Sequence, residues 1–492
     1  MKIRISCLIL AALLLASAAG CGNTESDPAD TKADDTSADE SISAEETASD
    51  YEWADLDCGG EDFVILNTTD DYGFYYYLDF ESVTGEKLDD AVYNRNRELE
   101  DRYNFKLKIV EEKFDMSSTV FKQSIAAQDD DFDASFQWAN YLAATMLEGG
   151  FADLSSIKSM NLDSSWWDTG IDDAMKIGDS NKLYFAFCNT SFVKFEGAQA
   201  VFCNQAIFER LGLDMPYQLV LDGKWTLDEM IKLATVGANL NGDDSFSWNS
   251  RGNAQYGVIG NQGTVYGLIY STGNKFIDKD EDGMPYFAAG SEHFYDSLTK
   301  ISELTFTDGA FLHLNSTGED HYEAAFKNGR GLMMTAELKA ASKYRDMDDG
   351  FGIVPLPKYD EKQENYVAIG DFAHAAVIPS TSRDPERAGA ILDALAYLTD
   401  RDVMPVFYEN TMSQKRLRDD DSVKMLGIIS DSFYLDPGKI YSWTSELREK
   451  FIRMLGQEKK NDFASTVDEA RSSIERSIAK TVSQLIGDTA EN

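Results

Sequence analysis

An α/β fold is predicted by the alternation of strand-like and helix-like stretches from Glu61 onward, the pattern of sheets flanked by helices. The 492 residues suffice for roughly two to four domains of about 100–200 residues. With 43% hydrophobic and 12% aromatic residues, they can build a substantial core. Charge narrows the function. The 45 Lys+Arg against 86 Asp+Glu leave a formal −41, and so acidic a surface repels phosphates, which excludes nucleic acid as a partner.

The first element is a leader. Lys2 and Arg4 precede an apolar run over 5–16, and the small residues at 17–20 lead into Cys21. The spacing predicts a signal peptide over 1–20, too short to span a membrane comfortably. A cysteine directly after small residues resembles a bacterial lipoprotein signal, which implies lipidation at Cys21, although Ala18 stands where such signals usually carry Leu. The plainer alternative is an ordinary signal cleaved near Ala19. Residues 22–50 carry ten acids and one lysine and almost nothing apolar. A segment over 21–50 is therefore expected to stay a disordered acidic tether. No later stretch approaches about 18 uninterrupted apolar residues. Beyond Cys21 the cysteines are Cys58, Cys188 and Cys203. At most one internal disulfide can form, and whether Cys188 and Cys203 pair is open.

In the body, 63–67 reads as a buried strand, 91–103 as a helix, 105–110 as a second strand and 116–128 as a second helix. Residues 132–136 form a third strand candidate, with Trp138 just past its end. In open α/β sheets ligands gather beyond the C-terminal ends of strands, which draws attention to Asn67 and Trp138. Two further strands are expected at 182–188 and 198–204. A short helix follows, ended by Gly212, and Thr226 opens another as its N-cap. A helix over 385–398 is expected to break at 399–402, and the C-terminal region reads as helices.

Five motifs now stand in order. Asn204, Phe208, Gly212, Leu213 and Pro216 lie in a stretch resembling Y-N-K-x-x-F-x-x-x-G-L-x-x-P, and Trp225-Thr226-Leu227-Asp228-Glu229-Met230 is similar to T-W-D-E-L. Ala325-Phe326 with Gly329 and Met333 looks like A-F-x-x-G-x-A-A-M, and 352–357 matches G-x-x-P-x-P. Residues 384–399 resemble x-P-x-K-A-A-x-x-F-x-x-x-L-T. Together they resemble the extracellular solute-binding proteins of carbohydrate ABC transporters, family 1, maltodextrin-binding-like. The resemblance implies a two-lobed, periplasmic-binding-protein-like fold (type II) with the ligand in the cleft between lobes. It places crossings near 189–198, 335–339 and 399–403. The lobes would then be 51–190 plus 340–400, and 191–338 plus 401–492.

A sugar site wants aromatic platforms for the CH faces of the rings and planar polar groups for the hydroxyls. The resemblance and the strand ends together nominate Asn67, Asp70, Asp71 and Tyr72 in the loop after the first strand, Trp138 and Asn140 after the third, Glu196 and Glu337 at crossings, and Asp371 and Trp443. For each a plainer role competes: core packing for the tryptophans, solvation for the loop acids. Asp371 and His374 are weaker candidates than the others, a lone His being more often a satisfied packing residue. Trp225 is assigned to packing, and Trp166, Trp167 and Trp248 are left open. Asp278, Asp280 and Asp282 with Gly283 mimic the start of an EF-hand loop, but position 12 is Ala289 and the bidentate glutamate is missing. A hairpin turn is favoured, and no metal or cofactor is expected.

Catalytic motifs are missing: no His-Glu-x-x-His, Gly-x-Ser-x-Gly or P-loop occurs. The expected function is capture of a carbohydrate by hinge closure and delivery to ABC permease subunits, without covalent chemistry. The protein would be a monomer held at the extracellular face of the membrane by its N-terminal lipid. The alternatives are a lipid-anchored glycoside-active enzyme and a binding protein for a non-sugar solute.

Overall fold

The computed structural model describes residues 51–69, 71–314, 321–344, 347, 349–370, 372–414 and 420–486. The leader, Cys21, the acidic stretch to residue 50, Asp70 and Asp371 lie outside the described residues.

In chain order the strands are β1 (Asp62–Thr69), β2 (Lys106–Lys113), β3 (Ala134–Trp138), β4 (Gln199–Asn204), β5 (Tyr256–Gly260), β6 (Ile277–Lys279), β7 (Pro285–Phe287), β8 (Phe311–His313), β9 (Gly331–Glu337), β10 (Phe351–Pro355), β11 (Ala368–Ile369), β12 (His374–Val377) and β13 (Phe433–Tyr434). They form a four-stranded sheet in the order β12-β3-β1-β2 and a five-stranded sheet in the order β10-β4-β9-β5-β8, with two small ribbons, β11-β13 and β6-β7.

The first sheet grows from two strand–helix–strand units. β1 pairs in parallel with both β2 and β3. A strand covered on both faces must be apolar throughout, and Phe63, Ile65 and Leu66 are buried. The helix Lys87–Tyr103 buries Leu88, Val92, Leu99 and Tyr103, a stripe at helical spacing, and stops where Asn104 takes a left-handed φ of 52°. The helix Phe114–Ala127 makes the second connection. β12 then adds antiparallel to β3, with His374 opposite Trp138.

In several places the structure differs from the expectation. β3 lies two residues later than 132–136, so Trp138 is its last residue rather than a residue beyond it. Residues 182–188 make isolated bridges, Ala186 to Ala376 and Trp167 to Cys188, instead of a continuous strand. Residues 335–339 do not carry the chain back to the first sheet: β9 pairs with both β4 and β5. β10, expected with the first lobe, pairs antiparallel with β4, whose free edge it satisfies. The return falls between residues 356 and 373, where Ala198 bridges Gly370. The break expected at 399–402 is a wide π-type turn, Thr399–Val403, which leads from the helix Pro385–Leu398 directly into the helix Met404–Gln414.

A buried cation ties the helix Lys87–Tyr103 to the π turn. Arg95 donates to the Leu78 carbonyl (2.8 Å), to Asn96 Oδ1 (2.9 Å) and to Thr399 Oγ1 (3.0 Å). Burial lowers its pKa to about 10, the partial remedy of a charge removed from water. Asn189 donates to Asp400 at 2.8 Å, so the first crossing meets the π turn.

Cys58, Cys188 and Cys203 are all buried free thiols, so the 188–203 pair does not form. β6 and β7 pair antiparallel, and Asp280 accepts the backbone N–H groups of Asp282 and Met284 between them, as the hairpin reading expects. No helix among the described residues is long and apolar enough to cross a membrane.

Candidate ligand-binding site

β1 and β3 run in parallel and β12 runs against them, so the C-terminal ends of the first two and the start of the third share one edge. Trp138 ends β3 there, 3% exposed. Its ring centroid lies 5.3 Å from Phe372, 5.4 Å from His374, 5.8 Å from Phe114 and 6.4 Å from Tyr72. Tyr72 is the outermost member, 47% exposed. Trp138 thus backs an aromatic wall whose accessible face is Tyr72. Phe74 extends it, 5.0 Å from Phe372.

Into this wall reaches Lys339, from the turn after β9. Its Nζ lies 3.6 Å from the Phe74 ring centroid, 5.3 Å from that of Phe372 and 5.6 Å from that of Tyr72, and it donates to the Tyr72 carbonyl at 3.1 Å. An ammonium over several ring faces is attracted by their quadrupoles, more strongly when water is excluded, and Lys339 is buried. Glu196, on the first crossing, makes a second tie to the same loop: its Oε2 accepts the Tyr75 backbone N–H at 2.6 Å.

The second sheet contributes an edge of polar groups. Gln199 starts β4 opposite Glu337, which ends β9. Gln199 Nε2 donates to Glu337 Oε1 at 3.2 Å, and the Tyr322 hydroxyl lies 3.3 Å from Glu337 Oε2. Burial first, then the charges of Glu337 and Glu323, push the Tyr322 hydroxyl far above its ordinary value, so it stays a donor. On the first edge, burial pushes His374 down to about 3, which leaves a neutral ring with Nδ1 3.2 Å from Ser191 Oγ. On the two edges, Asn67 Oδ1, Gln199 Oε1 and His374 Nε2 are among the buried atoms with no hydrogen-bond partner among the described residues. Buried polar atoms are ordinarily paired, and leaving one unpaired costs about 1–3 kcal/mol.

Not every sequence candidate lies in this assembly. Asn67 is fully buried, its Nδ2 bonded to the Tyr76 carbonyl at 2.8 Å. Asp71 is exposed and paired with Lys113 at 2.6 Å. Asn140 is exposed in the first turn of the helix Ala139–Leu147. Trp443 makes none of the ring contacts above: it stacks on Tyr441 at 4.6 Å, donates to Thr481 at 2.9 Å and lines a different cavity of about 420 Å³. Trp225 is buried and donates to the Pro355 carbonyl, the packing role expected of it. Trp166 and Trp167 both donate to the buried Asp393. Sequence reasoning missed Lys339, Phe372, Phe114 and Gln199; a signal for the wall was present in the aromatic run 72–77. Among the described residues no group of three or more His, Cys, Asp or Glu could hold a metal ion.

No protein-family model and no curated protein sequence matches this chain. Solved structures do. An ABC substrate-binding protein of Listeria monocytogenes, in complex with cycloalternan, aligns with a TM-score of 0.56 at 14% identity, over 85% of this chain and 99% of that one. A cyclo/maltodextrin-binding protein complexed with maltotetraose gives 0.58 at 14%, over 85% and 97%. The maltotriose-binding protein of Thermus thermophilus, bound with maltotriose, gives 0.53 at 15%, over 85% and 100%. At such identities the likeness shows the fold: this chain has the α/β fold of the two-lobed substrate-binding proteins.

Proposed function

We propose that this protein captures a neutral oligosaccharide between the aromatic wall at the β1–β3–β12 edge and the polar edge of β4 and β9, and hands it to an ABC permease. The observation that carries the reading is the presence of Tyr72, backed by Trp138 and Phe372, at one edge and of the unsatisfied buried acceptor Gln199 Oε1 at the other. Ring faces suit the CH surfaces of a sugar and amide oxygens suit its hydroxyls. The sugars in the neighbouring structures support the same substrate class.

In this reading the first lobe is built on the four-stranded sheet and the second on the five-stranded sheet, β10 included. Ligand touching both edges favours the closed arrangement by its differential affinity, and Lys339 and Glu196 are contacts between crossing segments and the β1 loop that closure would strengthen or exchange. The protein binds and releases its sugar unaltered. Lipidation of Cys21 would hold it at the outer face of the membrane, beside its permease, as a monomer.

Calorimetry of the mature protein with maltose, maltotriose, maltotetraose, cycloalternan and mannotriose tests the proposal. Saturable heat with at least one, weakened in Tyr72→Ala, is expected. Silence across the panel together with a response to peptides or polyamines would overturn the sugar assignment, and release of reducing ends on incubation would overturn binding without turnover.

A further inference from the structure

A second cavity, of about 270 Å³, shares no residue with the site above. Its walls come from the segment 165–170, the first crossing, and the helices Met404–Gln414 and Asp420–Asp431. Lys194 lines it. The residue is buried, yet among the described residues its Nζ makes one hydrogen bond, to Asp168 Oδ2 at 2.7 Å. An ammonium carries three donors and a carboxylate about four acceptor sites, so both partners keep unused capacity even with Asp168 Oδ1 accepting the Ile171 amide at 3.4 Å. The lining also holds aromatic side chains, Trp166, Phe433 and Tyr408 among them, the last bonded through its hydroxyl to Ser430 at 2.9 Å.

We infer that this cavity is a binding site for a small uncharged polyol, a single hexose ring being the type. Lys194 and Asp168 cancel each other's charge, so an ion entering would have to break the pair or remain uncompensated in a partly desolvated place, which is costly. Hydroxyl groups meet no such penalty: they accept from the lysine and donate to the aspartate while the pair stays intact. The indole and phenyl faces supply the complementary surface for ring carbons. The location adds a regulatory consequence. Lys194 rides on the first crossing, and the helix carrying Tyr408 begins directly after the π turn at 399–403. A ligand here bears on the same segments that connect the two sheets, so its binding and that at the Tyr72 edge are linked, each altering the other by the same factor.

Trp166 makes the cavity its own reporter. Titration of the full mature chain with D-glucose should change tryptophan fluorescence saturably in the millimolar range. The change should shrink in Trp166→Phe, Trp167 lining the same cavity. In Ser430→Phe, which fills the cavity without touching the ion pair, and in Lys194→Met, it should need at least about tenfold more glucose, and it should survive in Tyr72→Ala. Maltotetraose calorimetry on the same variants reports the Tyr72 edge separately, so failure there leaves this test standing. Absence of a glucose response, a response unchanged in both Ser430→Phe and Lys194→Met, or its loss in Tyr72→Ala would overturn the second site.

Discussion

Lys339 places its ammonium 3.6 Å from the centre of the Phe74 ring while donating to the carbonyl of Tyr72, two residues earlier. The lysine follows β9 in the five-stranded sheet and the two aromatics follow β1 in the four-stranded one, so a single side chain couples the turn after one sheet to the loop after the other. Lys339→Met keeps the aliphatic stem and removes the charge. It should lower the unfolding free energy by about 1–2 kcal/mol, the range of a desolvated cation–π contact, read from the urea midpoint. Lys339→Arg should recover most of that loss.

Tyr72 and Trp138 should separate recognition from stability. Tyr72 is half exposed, so Tyr72→Ala should change stability by no more than about 0.5 kcal/mol yet weaken oligosaccharide binding by about tenfold or more, equivalent to about 1.4 kcal/mol. Trp138→Ala should cost about 3–5 kcal/mol of stability, as truncations of large buried aromatics do, because its ring packs behind Phe372 and Phe114. Calorimetry and thermal melts on the two variants check the contrast.

His374 sets a pH dependence with a definite sign. Burial lowers its folded pKa to about 3 from an ordinary 6.5. Between those values the unfolded chain binds a proton that the folded one refuses. The stabilising contribution is whole above about pH 6.5 and is lost as pH falls towards 3, with a slope of up to about 1.4 kcal/mol per pH unit. Subtracting the stability–pH curve of His374→Phe from that of the unaltered protein should leave this slope. A flat difference would show the imidazole to be solvated.

Arg95 is the test of the π turn. Arg95→Met leaves the Leu78 carbonyl, Asn96 Oδ1 and Thr399 Oγ1 without their shared donor. It should destabilise by about 1–3 kcal/mol, the cost of leaving a buried acceptor such as Asn96 Oδ1 unpaired. Arg95→Lys should not restore stability, since an ammonium cannot reach three acceptors in the guanidinium's planar arrangement.

What the sequence made legible is mostly local. Phe63 to Leu66 announced β1, Gly212 stops its helix in a left-handed φ of 66°, Thr226 caps the next helix by accepting the Glu229 amide, and the helix Pro385–Leu398 has the limits expected of it. The rest depended on partners far along the chain. β10 could not be assigned because its place beside β4 is decided some 150 residues away, by which strand edge remains open. Residues 182–188 have strand composition but find only scattered bridges. In the candidate site, Trp138 was visible because tryptophan at a strand end is conspicuous. Lys339 and Gln199 were not, since a lysine after a strand and a glutamine at the start of one look like ordinary surface residues until folding buries them. Trp443 shows the converse, a conspicuous residue whose ring stacks on Tyr441 away from the Tyr72 wall.

The unpaired thiol of Cys203 sits fully buried within β4, between β10 and β9. Burial also raises its pKa well above that of an ordinary thiol, so the reactive thiolate is suppressed as long as the strand stays in place. A small alkylating reagent can therefore modify it only during excursions that part the central strands. Mass spectrometry of the tagged peptide would turn this side chain into a built-in clock for how often the larger sheet comes undone, and a bound sugar that steadies the sheet would slow the clock.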